Sequence, residues 1–266
     1  MTAIEQKYEW ERAEIVRSRS EADHTPRERL IADEGNIRRY LNPPIDSCYP
    51  LEYAYAVLGD VRNRTILDFG CGSGENSLLL ARRGARVIGV DISTDLLELA
   101  ERRLQVNHGG EAQFVTGSAH DLPLKDESVD GVLGIAILHH LDLESSAREI
   151  YRVLKPGGLA VFKEPVRDSG LVRFVRGLIP YTAPDVSPFE RPLRTSELRG
   201  FAKGFTIAAW RAFCLPFVSL VDVTRLNSLT GPAYRLDGAL LASAPLLSRF
   251  SSTRVLALRK EPAGRA

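Results

Sequence analysis

Two carboxylates flanking a glycine turn are the residues best placed to do chemistry in this chain. Asp68-Phe-Gly-Cys-Gly-Ser-Gly-Glu75 follows the apolar pair Ile66-Leu67, and Asp91 closes the run Val87-Ile-Gly-Val. Gly70, Gly72 and Gly74 allow a sharp backbone turn and close approach of a ligand where a Cβ would intrude. Asp91, at the end of a second strand, is positioned to accept hydrogen bonds from a ribose diol. A dinucleotide fingerprint would need glycine at i, i+2 and i+5, and the last of these positions holds Glu75. Asp68 would repel a pyrophosphate and would favour a cationic amino acid instead. Further along, Ile137-Leu-His-His-Leu141 offers two imidazoles after a fourth strand. Imidazole titrates near neutrality, so His140 is the better candidate for a general base or substrate-orienting group, with His139 beside it. A core or helix-capping histidine is the competing reading. Glu164, in Phe162-Lys-Glu-Pro165, stands on the same rim, where it could orient His140, bind substrate or simply face solvent.

These residues need a frame of alternating strands and helices, and the pattern supplies one. Strands are predicted at 65–69, 86–91, 112–116, 131–135 and 159–163. Helices are predicted at 51–58, 75–83, 94–106 and 143–153. Ser93 is a suitable N-cap for the third of these helices, whose apolar positions 96, 97, 100 and 104 have helical spacing. Lys155-Pro-Gly-Gly158 reads as a turn. Such alternation implies right-handed crossovers and a parallel sheet. Residues 1–50 read as a helical lead-in and 51–266 as the main domain. Between about 166 and 200 the rhythm breaks at Pro180, Pro184, Pro188 and Pro192, which suggests a lid or binding insertion. Its Tyr181, Phe189 and Arg191 would suit an apolar or aromatic acceptor carrying an anionic group. Two final strands, 205–213 and 253–259, flank an apolar helical stretch at 215–250.

Composition narrows the function classes. Of 266 residues, 44% are hydrophobic and the formal net charge is +1, so no bulk field attracts nucleic acid or an acidic membrane. Three cysteines without paired spacing argue against a disulfide framework or a zinc site, and no metal is expected. They fit reduced thiols in the cytoplasm. The charged N-terminus gives no sign of a signal peptide, and no apolar window reaches the roughly 18 residues of a membrane span. Apolar stretches at 213–221 and 236–247 leave membrane contact open as an alternative to core packing. Oligomeric state is not readable.

The motifs together resemble the cofactor region of class I S-adenosylmethionine-dependent methyltransferases, in the small-molecule branch that includes quinone and natural-product enzymes. The resemblance covers about residues 50–165. It implies an α/β, Rossmann-like sheet of seven strands, mostly parallel with an antiparallel last strand. It further implies S-adenosylmethionine as cofactor, with Asp68 toward its methionine end, Gly70, Gly72 and Gly74 beneath, and Asp91 on the ribose. Ile92 would pack on adenine, and Gly134 and Ile135 at the end of the fourth strand would join the site. Ser118 stands where relatives commonly carry an acid that accepts from the adenine amino group; Ala119 and His120 follow it. Tyr49 would close over the methionine end, and one histidine of the pair would enter the substrate cavity. The implied reaction is methyl transfer to oxygen, nitrogen or carbon of a small acceptor. A lipid-like acceptor or a non-catalytic cofactor-binding protein are the alternatives. The Asn/Asp-Pro-Pro-aromatic signature of amino-methylating DNA enzymes is missing after the fourth strand, and Asn42-Pro-Pro-Ile45 lacks the aromatic.

Overall fold

A computed structural model of the chain describes residues 11–13, 15–20, 22, 24–170, 191–224 and 227–262. The apolar runs form strands β1 (Thr65–Phe69), β2 (Arg86–Asp91), β3 (Ala112–Thr116), β4 (Val129–Ile135), β5 (Leu154–Pro165), β6 (Thr206–Phe213) and β7 (Thr253–Arg259). They make one seven-stranded sheet in the order β3-β2-β1-β4-β5-β7-β6. The first five strands run parallel, and β7 inserts antiparallel between β5 and β6. Side chains alternate across the sheet with period two. Leu67, Val132 and Phe162 therefore pack on one face with Leu138, Ile150 and Phe201. Ile66, Leu133 and Val161 pack on the other with Ala54, Tyr55 and Leu80. Burial on both faces is why these strands read as continuous apolar runs.

Among the described residues, helices α1 (Glu34–Leu41), α2 (Pro50–Leu58), α3 (Glu75–Arg82), α4 (Thr94–Val106), α5 (Leu143–Val153), α6 (Thr195–Phe201), α7 (Pro216–Val223) and α8 (Asn227–Ser243) surround the sheet. Side-chain caps start several of them. Ser93 accepts from the Leu96 amide at α4, and Asp142 accepts from the Ser145 amide at α5. Helix α3 starts instead at Gly74, in the left-handed region with φ 77°. A Cβ there would lie 2.7 Å from that of Ala100, so glycine lets α3 and α4 approach. Strand order reverses between β1 and β4, which opens a crevice at their carboxyl ends, the place where open α/β sheets bind ligands.

Residues 155–158 correct the expectation of a free turn. They belong to β5 and form a bulge opposite a register shift between Val129 and Gly131 of β4. The Gly157 amide donates to the Lys260 carbonyl at 2.7 Å, and the Lys260 amide donates to the Gly158 carbonyl at 3.1 Å. Pairing with the chain beyond β7 holds Pro156 and its glycines in the sheet. The lead-in is tied to the domain by α4. Leu30 packs on Leu96 and Leu99, and the Asn107 amide accepts from the Ala32 backbone and donates to the Leu30 carbonyl. The late apolar stretches divide. Phe213, Cys214, Leu215 and Val218 are buried, whereas Leu220, Leu236 and Leu246 are exposed. Asp237, fully buried on α8, accepts from the amides of Cys214 and Leu215 and so docks α8 on the end of β6. No described helix is long and apolar enough to cross a membrane.

Candidate active site

The crevice is lined by the turn after β1, the end of β2 and the loops after β3 and β4, with the lead-in as its outer wall. Gly70, Gly72, Asp91, Ile92, Ser118, Ala119, His120 and His140 all face it, as do Phe69, Leu96, Leu141, Ala136 and Ile137. Glu11, Arg17 and Ser18 close the far side. The crevice is partly open to solvent and holds about 170 Å³.

Asp91 is the best-defined polar group here. Its Oδ2 accepts from the Gly72 amide at 2.9 Å and its Oδ1 from the Ser93 amide at 3.0 Å. A carboxylate has about four acceptor positions, so two backbone bonds fix its orientation and leave capacity for two hydroxyls. Burial raises its pKa, opposed by those amides and by Arg17. Gly72 has φ 49°, and a Cβ there would meet nothing within 4 Å. Its side-chain direction is open space, so the turn offers a floor on which a ligand can rest against bare backbone. Asp68 lies one layer deeper, 1% exposed, with Oδ2 accepting from the Ser77 hydroxyl at 2.6 Å. Burial pushes its pKa up to about 7 despite the Ser77 hydrogen bond, and the charge of Asp91 adds to the rise. A cation placed nearby would reverse that shift. These residues fit a ligand with a vicinal diol and a positive charge.

The wall after β4 is held by a buried acid. Glu164 is fully buried at the end of β5. Its Oε1 accepts from the amides of Ile137 at 2.8 Å and Leu138 at 2.9 Å, and its Oε2 accepts from His139 Nδ1 at 2.9 Å. Ala136 sits at φ 56°, a left-handed conformation uncommon outside glycine. Its amide donates to the Lys163 carbonyl at 2.8 Å. The two histidines differ in surroundings, His139 buried on Glu164 and His140 lining the crevice, with their rings in contact. Their ring centroids are 4.1 Å apart.

At the opposite end, Ser118 Oγ donates to Glu11 Oε1 at 2.7 Å and accepts from the His120 amide at 3.2 Å. His120 Nε2 accepts from the Asp142 amide at 3.0 Å. That bond leaves the neutral ring's proton on Nδ1, which faces Glu11 Oε1 at 3.2 Å.

Several expected residues stand elsewhere. Gly74 caps α3 beneath the crevice. Gly134 and Ile135 remain inside β4, where a Cβ on Gly134 would strike the Phe162 ring at 2.6 Å; the lining positions are Ala136 and Ile137. The period of the strand explains the offset, because the backbone clears the sheet only at the Ala136 corner. Tyr49 borders a separate depression with Cys48, Arg211 and Arg235. Its ring lies 4.8 Å from that of Tyr234 and 4.2 Å from the Arg39 guanidinium. Arg191 pairs with Glu197 away from the crevice. Tyr181 and Phe189 lie outside the described residues. Sequence reasoning missed Glu11, Arg17 and Ser18, because nothing local in a mixed-charge segment says which residues fold back over a site more than 50 positions away.

Comparison with known proteins shows what this arrangement is similar to. Residues 67–162 match the family model described as a methyltransferase domain. The chain is 34% identical over 116 residues to the O-methyltransferase rstn1 of Aspergillus nomiae, covering 42% of this chain and 52% of that protein. It is 40% identical over 116 residues to the demethylmenaquinone methyltransferase of Symbiobacterium thermophilum, covering 42% and 45%. The chain thus spans about half the length of these curated relatives. Among solved structures, the geranyl diphosphate C-methyltransferase of Streptomyces coelicolor superposes with a TM-score of 0.55 at 20% identity, covering 79% of this chain and 77% of that one; this likeness concerns the fold. With its glycine turn, its two strand-end acids and its seven-stranded sheet, the chain is similar, through residues 67–162, to the methyltransferase domain family.

Proposed function

We propose that this protein transfers a methyl group from S-adenosylmethionine to a small organic acceptor. The observation that carries the reading is the pairing of Asp91, with acceptor capacity for a diol, and Gly72, with bare backbone, on one floor at the switch point of the sheet. Asp68 beneath that floor, its pKa raised by burial to about 7, would ionise beside a cationic amino acid end. Ile92, Leu96 and Ala119 provide apolar surface for a base. When bound, the cofactor offers an electrophilic methyl on a sulfonium, taken by in-line displacement. The chain's own part is then positioning, which contributes much of the rate in such reactions. His140 stands at the crevice wall to orient the acceptor and take its proton. Glu164 and His139 act behind it as positioning residues that hold the Ile137–Leu138 corner.

Relatives named for O-methylation and for demethylmenaquinone support a small-molecule acceptor without fixing the methylated atom. The methyltransferase unit spans residues 51–266, with the lead-in as its cover. A cytoplasmic location agrees with three free cysteines, two of them buried. The exposed Leu220, Leu236 and Leu246 favour a second reading in which the acceptor is lipid-like and met at a membrane surface. Calorimetric titration with S-adenosylhomocysteine, followed by a methyl-release assay over an acceptor panel, tests the main reading. Binding with turnover is expected. Binding without turnover on any acceptor would favour a cofactor-binding protein, and no binding would refute the reading. Co-sedimentation with liposomes tests the second.

A further inference from the structure

Adenine presents an exocyclic amine with two N–H donors, and a half-buried donor needs an acceptor. At the adenine end of the crevice the obvious candidate is Ser118, but its single hydroxyl proton is directed to Glu11 and one lone pair is already taken by the His120 amide. The anion at this end is Glu11. Its side chain is only 19% exposed and its carboxylate lines the crevice. Both recorded contacts, from Ser118 Oγ–H and His120 Nδ1–H, fall on Oε1. A carboxylate has further acceptor positions on both oxygens. We propose that Glu11 of the lead-in reads the adenine amino group, doing from outside the parallel sheet what an acid at position 118 would do from within it. The assignment rests on the cofactor reading above and adds a specificity residue to it.

The geometry gives this role a physical logic. Ser118 and His120 hold the carboxylate by two donors of the same kind that an amine offers. His120 is fixed in turn by the Asp142 amide at the start of α5. The carboxylate is therefore pre-oriented rather than swinging in solvent, and an incoming amine adds to the set without unpairing a buried group. A ligand with a donor at the adenine 6-position meets this carboxylate more favourably than one with an acceptor there.

The test compares S-adenosylhomocysteine with S-inosylhomocysteine, whose 6-oxo group replaces the amine, in calorimetric titrations of the full chain. Wild-type protein is expected to favour the adenosine ligand by roughly tenfold to a hundredfold, the range for a hydrogen bond to a charged group. E11A should lose most of that preference. E11Q, which keeps the shape and can donate to a 6-oxo group, should narrow or invert it. Thermal unfolding of each variant checks that the fold is kept. If E11A and E11Q weaken both ligands equally, or bind both like wild type, Glu11 is only a strap for the lead-in and the proposal falls. If wild-type protein binds neither ligand, the cofactor reading itself has failed and this assignment goes with it.

Discussion

Replacing Glu164 by glutamine is the sharpest probe of how the site is built. Two donors that cannot change, the amides of Ile137 and Leu138, converge on Oε1, and one that can, His139 Nδ1, meets Oε2. A glutamine must keep its oxygen on the two amides and turn its NH₂ toward His139. His139 must then accept at Nδ1 and carry its proton on Nε2. Three charge-assisted bonds become neutral ones, at a loss of about 1 kcal/mol each, so the expected destabilisation is about 2–3 kcal/mol. For a domain of this size that lowers the melting temperature by roughly 4–12 °C. Glu164→Ala leaves all three buried donors bare and should cost about 3–6 kcal/mol. Calorimetry gives the stability and ¹⁵N NMR of the imidazole gives the tautomer. If E164Q melts with the wild type and His139 keeps its proton on Nδ1, the acid is not the clamp of this corner.

Other consequences can be checked with the same protein. His140→Ala should lower turnover far more than affinity for S-adenosylhomocysteine; unchanged turnover would remove it from the chemistry. Gly72→Ala should cost only about 1–2 kcal/mol for its left-handed backbone while weakening ligand binding, because its Cβ enters open space on the crevice floor. Gly74→Ala adds a clash with Ala100 and should cost about 2–5 kcal/mol; equal denaturation midpoints for the two variants would contradict the geometry. Asp68 has its pKa raised from 3.8 to about 7, so folding favours its protonated form. The stability it contributes is complete below the unfolded value and is lost as pH rises through about 7. Asp68→Asn should therefore gain on the wild type as pH rises from about 4 to 8, and a flat difference in melting temperature would refute this.

The sheet was legible because its strands are buried on both faces, and the capped helices were legible from Ser93 and the 96, 97, 100, 104 spacing. The bulge at 155–158 was not. Pro156, Gly157 and Gly158 carry local turn signals, and only the partner backbone at Lys260 overrides them. Asp91, Ser118 and His140 line the crevice, and motif position alone was enough to put them on the rim. Gly134 and Ile135 stay within β4 and the crevice is lined by Ala136 and Ile137, since the left-handed corner at Ala136 has no signature in an alanine. Tyr49 and Arg191 were chosen by residue type, and type does not reveal partners such as Tyr234 or Glu197. Glu11 required the tertiary fold.

The alternation of Leu67, Val132 and Phe162 against Ile66, Leu133 and Val161 limits how such a molecule can vary. A single residue inserted within β4 or β5 would exchange every side chain between the two layers and swing Glu164 away from the amides it holds. Length changes are absorbed in bulges such as that at 155–158 or beyond the strands' ends, where a longer or shorter connection disturbs neither layer. The chain after β5 can thus change in length while the corner beside His140, held by Glu164, stays as it is.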